Sequence, residues 1–393
     1  MLPIQPNSEL HQQMQQWRRD LHAHPETAYE EHRTAAKVAE LLREFGLEVH
    51  TGLAVTGVVG VLRGRQSGQK SVALRADMDA LNLQELNSFD HCSTHPGKMH
   101  GCGHDGHTTM LLGAAKHLAE NPDFAGTLVF IFQPAEEGRA GAKKMCEEGL
   151  FDRFPVDAVY GMHNWPGLEA GSFAVHNGPV MASMAVFDID IVGQGAHGGM
   201  PHLGVDPVPV AAQLISALQS IVARGLNPLD SGVVSVTQMH GGDAYNVIPE
   251  SIRLSGTCRA FSTEMQDHLE AEMQRRVEHI CAAHGATGTL DYRRGYPATI
   301  NDPAHAQRCA EVTGALVGEA KVKRCEPPSM GAEDFSFMLE QRPGAYIWIG
   351  NGSSEGGRGL HNPHYDFNDE ILPLGASYWV NLAQACLTPD SND

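Results

Sequence analysis

Residues 99–107 read MHGCGHDGH, three histidines, one cysteine and one aspartate spaced by glycine. Cys102 and His104 stand two apart, so in an extended loop both side chains point to one side. The glycines let the backbone turn tightly around an ion. A donor set of thiolate, imidazole and carboxylate suits borderline divalent metals such as Zn, Mn, Co or Ni. Two other chemistries fit the same stretch. Cys102 could be a nucleophile with His104 as its base, or the stretch could be a polar turn with solvated histidines. A nucleophile also needs a group to orient its base, and the chain has no strand-to-helix elbow of G-x-S-x-G type. His104 and His107, three apart at a helix start, can share a face, and one ligand between them suffices. His100 is the weakest candidate and reads as a surface or hydrogen-bonding residue.

QPAEEG at 133–138 adds the second signal. Glu136 and Glu137 end a six-residue apolar run, TLVFIF, and a buried acidic pair is costly unless a cation or a proton compensates it. One of the two can bind metal while the other holds and deprotonates a water. The alternative is an acidic pair favouring a helix dipole. His163 ends the run DAVYGMHNWP and is either a ligand or a satisfied core histidine. His361, in LHNPHYDF after a glycine-rich loop, is either a ligand or a loop histidine. Asp77, in RADMDAL, could orient a ligand histidine or pair with Arg75.

These residues cluster at strand ends, where open α/β sheets bind ligands. Strands are expected at GVVGVLRG, SVALRADMDAL, TLVFIFQ, DAVYGMHNWP and AYIWIGNG. Helices are expected at HQQMQQWRRDLHAH, EHRTAAKVAELLREFG, DGHTTMLLGAAKHLAEN with Asp105 as N-cap, NDPAHAQRCAEVTGALVG, GAEDFSFMLEQ and DEILPLGASYWVNLAQACL. This alternation predicts an α/β domain with a mostly parallel sheet flanked by helices. The middle of the chain changes character. From 183 to 296 the order is βαββαβ, a ferredoxin-like pattern. We therefore expect a discontinuous domain, 1–182 with 297–393, interrupted by an inserted domain, 183–296.

The formal charge is −19, from 28 basic and 47 acidic residues, which argues against nucleic acid or an anionic membrane as a partner. No apolar run approaches the ~20 residues that cross a bilayer. The start carries no secretory pattern, and eight scattered cysteines without CxxC pairs suit reduced thiols. A cytoplasmic location is expected.

RADMDAL, MHGCGHDGHTTMLLGAA, QPAEEG, GMHNWP, GQGAHGGMPHLGVDP, YNVIPE, GTCRAF, GAEDF and LHNPHYDF, in this order, resemble the M20 metallopeptidase family over nearly the whole chain. They are most similar to its amidohydrolase branch of hippurate hydrolases, N-acyl-amino-acid amidohydrolases and indole-acetyl-amino-acid hydrolases. The resemblance implies a zinc-peptidase-like catalytic domain and a lid and dimerisation domain formed by the insert. It implies two divalent ions per subunit (Mn, Zn, Co or Ni) held by Cys102, His104, Glu137, His163 and His361. Glu136 becomes the general base, and Asp77 the aspartate that orients or tunes the site. Arg75 stands where the wider family has a histidine, and Cys102 compensates within the branch. His197 would stabilise the oxyanion in the partner subunit's site, and Asn246 and Arg259 would hold the substrate carboxylate. The implied reaction is hydrolysis of an N-acyl amino acid by a homodimer or homotetramer. A dipeptidase or carboxypeptidase of the same family is the alternative, and a non-catalytic metal-binding protein is the alternative from another class.

Overall fold

A computed structural model describes residues 2–388. They divide into two compact units, one of residues 2–180, 300–327 and 334–388, the other of Met181–Thr299 and Pro328–Glu333. Residues 1 and 389–393 of the expected catalytic segment lie outside the described residues. The short segment at 328–333 groups with the insert rather than with the flanking sequence. The reason is hydrogen bonding, since the Ala182 N–H donates to the carbonyls of Ser329 and Gly331, each at 3.0 Å.

The first unit opens with α1 (Glu9–Ala23) and α2 (His32–Glu44), followed by β1 (Glu48–Leu53), β2 (Gly57–Arg63), β3 (Gln66–Asp77), α3 (His104–Glu120), β4 (Ala125–Gln133), β5 (Ala158–Pro166) and β6 (Phe173–Ala174). The insert contributes β7 (Ser183–Val192), α4 (Pro207–Ser220), β8 (Gly232–His240), β9 (Ser251–Ala260), α5 (Thr263–Ala283) and β10 (Thr287–Arg294). The first unit resumes with α6 (Pro303–Val317), β11 (Val322–Lys323), β12 (Gly344–Gly352) and α7 (Leu372–Cys386).

The eight strands of the first unit are ordered β1-β2-β4-β3-β5-β12-β6-β11. The centre is parallel, β4 to β3, β3 to β5 and β5 to β12. The joins β1–β2, β2–β4 and β12–β6 are antiparallel. Central strands read as continuous apolar runs because both faces are covered; Leu128 through Phe132 are all buried. The parallel centre sends the carboxyl ends of β3, β4, β5 and β12 to one edge, and the candidate site collects there. Helix α3 packs in that layer with Met110, Leu111, Leu112, Ala114 and Ala115 buried. Its N-cap is Gly103, at φ +92, where a Cβ would stand 2.3 Å from the Asn164 side-chain nitrogen. Asp105, expected to cap this helix, instead lies inside its first turn and bonds His22 of α1 at 2.8 Å.

The insert forms an antiparallel sheet, β8-β9-β7-β10, with α4 and α5 packed on it, the ferredoxin-like order. Alternate residues of β7, Phe187, Ile189 and Ile191, enter its core with Leu214, Leu218, Leu269 and Met273. Asp206 and Ser262 cap α4 and α5, accepting the N–H groups of Val208 and Met265. Among the described residues no helix is long and apolar enough to cross a membrane, and all eight cysteines are free.

Candidate active site

Three overlapping groups of donor atoms gather at the strand ends, each with its atoms within 4.8 Å of one another. They are Cys102 with His104 and His163, Cys102 with Glu137 and His361, and His104 with Glu136 and Glu137. All five residues expected as ligands are therefore brought together, with Glu136 beside them. Cys102 Sγ is 3.4 Å from His163 Nε2, and His361 Nε2 is 3.1 Å from Glu137 Oε1. His361 holds this place in the left-handed backbone region, at φ +61. Its N–H is fixed by the Gly101 carbonyl at 2.8 Å.

The residues suit a cation on their own evidence. His104 is buried and neither ring nitrogen makes a well-formed hydrogen bond; Nδ1 stands 3.4 Å from Asp79 and Nε2 3.8 Å from Asp77, an arrangement that a cation would complete. Sulfur, nitrogen and carboxylate donors in one place match a borderline divalent metal. His107 lacks this freedom. Its Nε2 accepts the Asn164 N–H at 2.9 Å, so its Nδ1 carries the proton and donates to Asp77 Oδ1 at 2.6 Å. Of the two histidines on the shared face, only His104 has nitrogens to offer.

Asp77 makes the expected pair with Arg75, and the histidine it hydrogen-bonds is His107 rather than His104, the one expected as a ligand. Its carboxylate accepts hydrogen bonds from His107 Nδ1 at 2.6 Å and Arg75 Nη1 at 2.8 Å; its second oxygen also lies 3.8 Å from His104 Nε2. Burial alone would raise its carboxyl, but His104, His107 and Arg75 outweigh that and hold it well below the usual range. Arg75 also donates to Gln133 Oε1 at 2.7 Å and Asp334 Oδ1 at 3.2 Å. Glu136 is 7% exposed, and one of its oxygens lies 3.4 Å from the Asp334 N–H. The acidic pair starts no regular helix: Glu137 and Gly138 have non-helical angles, and the turn aims both carboxylates toward His104.

Sequence reasoning assigned no role to Asp79, Asn164 or Gln133. Asp79 accepts the N–H groups of both Glu136 and Glu137. The Asn164 amide donates to the Cys102 carbonyl at 2.7 Å and so fixes the ligand loop. Asp79 sits two residues past Asp77 and Asn164 follows His163, so strand-end proximity was the available signal.

His100 is not at the surface. It is 1% exposed, makes no hydrogen bond, and burial pushes it down to about 3. Near it, His22 is held between Asp105 at 2.8 Å and Glu85 at 3.2 Å. Burial opposes its charge, but these two carboxylates raise it from 6.5 to about 9. Its stabilising contribution is complete below 6.5 and is lost as pH rises through about 9. Unfolding free energy should therefore fall by on the order of 3 kcal/mol across that window. Urea titrations at several pH values should show the fall in the parent protein and a flatter profile in His22→Gln; equal slopes would remove His22 as the cause.

In the insert, Ala196–His197 pairs with Val247–Ile248, and the Gly198 N–H donates to the Asn246 carbonyl at 2.7 Å. His197 and Asn246 line one open concavity of about 1280 Å³. Arg259 is elsewhere on β9, six residues beyond Arg253 of that concavity. Its guanidinium bonds the carbonyls of Cys258 and Met330 and the Thr257 hydroxyl.

A largely parallel sheet flanked by helices, with a cluster of sulfur, nitrogen and carboxylate donors at its strand ends, has the make-up of a metal-binding enzyme of the α/β class. Residues 73–385 match the model of peptidase family M20/M25/M40, and the chain belongs to that family. It is 40% identical to a hippurate hydrolase of Campylobacter jejuni over 375 residues, 95% of this chain and 97% of the relative. It is also 40% identical to IAA-amino acid hydrolase ILR1-like 4 of Arabidopsis thaliana over 373 residues, 93% of this chain and 84% of the relative. A crystal structure of a Bacillus subtilis protein, described as a dinuclear metal binding peptidase of the M20 family, superimposes with a TM-score of 0.86 at 34% identity, covering 97% of this chain and 99% of that one.

Proposed function

We propose that the protein hydrolyses the amide bond of N-acyl amino acids of the hippurate or N-acetyl type, with two divalent ions held by Cys102, His104, Glu137, His163 and His361. The observation that carries the reading is the convergence of Glu136 and Glu137 on His104 within 4.8 Å, beside Cys102. A storage site needs donors but no additional carboxylate poised as a base. Divalent ions at such a site polarise the scissile carbonyl and lower the pKa of the attacking water.

Glu136 accepts that water's proton and returns it to the departing amine. Asp77 fixes His107 and lies against His104, so it holds the ligand side of the site in register. His197 donates to the oxyanion, a contribution of roughly 3–4 kcal/mol for a well-placed donor. Asn246 and Arg259 bind the substrate carboxylate, which gives an acidic protein a local attraction for an anionic substrate.

The test is a panel of hippurate, N-acetyl amino acids and dipeptides, assayed after metal removal and reconstitution with Mn, Zn, Co and Ni separately. Chelation should abolish turnover and each competent metal should restore it on acyl amino acids. Activity that survives complete metal removal sinks the metal reading, and cleavage confined to dipeptides transfers the protein to the dipeptidases.

A further inference from the structure

The turn that delivers Glu136 and Glu137 is unfavourable on its own. Ala135 sits at φ 57, ψ 39, in the left-handed region, and Glu137 has ψ 81. A residue with a Cβ pays on the order of 1 kcal/mol or more for the left-handed backbone. Three successive N–H groups, of residues 135, 136 and 137, must also find acceptors in a buried place. Two carboxylates from distant parts of the chain supply them. Glu31, next to the start of α2, accepts the Ala135 N–H at 2.9 Å, and Asp79, beyond β3, accepts those of Glu136 and Glu137 at 3.0 and 2.9 Å. Both carboxylates are buried. The second oxygen of Glu31 accepts the Thr56 hydroxyl at 2.7 Å and so is held in place itself.

We propose that Glu31 is a positioning residue of the active site, which together with Asp79 clamps the strained turn so that Glu136 and Glu137 face His104. Burial, with the nearby Asp79 charge, pushes the Glu31 carboxyl up to about 7, so the two acids stand in each other's field. Two like-charged buried groups are kept together at a cost, and the three N–H dipoles between them are what offsets it. Without Glu31, Ala135 relaxes toward an ordinary backbone conformation and rotates the following carboxylate. A misplacement of about 1 Å at a reacting group is worth roughly a hundredfold in rate. The inference rests on the reading of Glu136 as base and Glu137 as ligand.

The experiment uses the full chain and three variants, Glu31→Ala, Glu31→Gln and Glu31→Asp. Hydrogen exchange is measured on the metal-free protein, with kinetics and metal stoichiometry on the reconstituted one. In Glu31→Ala the amides of residues 135–137 should exchange about tenfold faster while the β4 amides stay protected. Its kcat should fall roughly 10- to 100-fold with KM within about twofold. Glu31→Gln keeps an acceptor for the Ala135 N–H and should recover most of both. Glu31→Asp keeps the charge but is one methylene short, so it should resemble the alanine variant, and it decides the matter if that variant does not fold. Wild-type exchange and kcat in Glu31→Ala or Glu31→Asp overturn the clamp. Glu136→Gln is assayed alongside: if it stays active, the site reading falls and the exchange data alone decide the clamp, whereas a dead Glu136→Gln beside normal Glu31 variants sinks the clamp alone.

Discussion

Glu136→Gln is expected to lower kcat by roughly a hundred- to ten-thousand-fold, the range for losing a positioned proton acceptor, with both metal ions retained. The substitution preserves shape in a place where shape matters, since Glu136 is 7% exposed and its oxygen faces the Asp334 N–H at 3.4 Å. A glutamine oxygen can keep that contact but cannot take a proton from water. Substrate binding depends on other groups, so KM should stay within roughly threefold, the signature of an interaction made mainly in the transition state. Glu137→Gln supplies the contrast. Its carboxylate stands 3.1 Å from His361 and in the same group as Cys102, so its loss should lower metal content as well as rate. Metal stoichiometry of the two purified variants separates the roles. If Glu136→Gln loses metal and Glu137→Gln keeps it, the assignments are reversed.

The parts of this site that sequence made legible are those written into a periodic run and its ending. TLVFIF announces a buried strand, and a strand buried on both faces must stop where charge begins, so Glu136 and Glu137 mark its end. The same logic located Asp77 and His163, whereas His361 was marked by the glycine-rich loop before it. What distinguishes His104 from His107 was not legible, because both are histidines on one helical face. The difference is made by Asn164, 57 residues away in sequence, whose N–H occupies His107 Nε2. Asp105 failed as a predicted cap for a similar reason. Asp is a good N-cap in general, but here the left-handed Gly103 ends the loop and His22 of α1 claims the carboxylate. Strand β1, EVHTGL, carries no apolar alternation and is mostly exposed, so pairing with β2 alone makes it a strand. Residues 328–333 lie outside the insert's own stretch of sequence, and the bonds they accept from Ala182 and Arg259 join them to it.

Arg75→Met should destabilise the metal-free protein by about 3–5 kcal/mol, the usual consequence of leaving buried charge unpaired. Arg75 has a fully buried side chain, and its guanidinium reaches Asp77, Gln133 and Asp334 in three directions. Removing it takes a cation away from two buried carboxylates, leaving Asp77 its His107 bond and Asp334 its bonds from Gln133 and Ala142. Lysine cannot substitute well, because one ammonium does not match a planar fork that spreads over three acceptors, so Arg75→Lys should recover only part of the loss. The double variant Arg75→Met with Asp77→Asn tests the cause. If the cost is unpaired charge, neutralising Asp77 should return a measurable fraction of the stability in urea titration. Activity should not return with it, because the asparagine no longer accepts the His107 proton with a full charge, and that contact orders the residues around His104. Recovery of stability without recovery of rate would separate the two services of Asp77, one to the fold through Arg75 and one to the site through His107. Additive losses in the double variant would show instead that Arg75 stabilises by packing, and that its charge is not what the buried aspartates require.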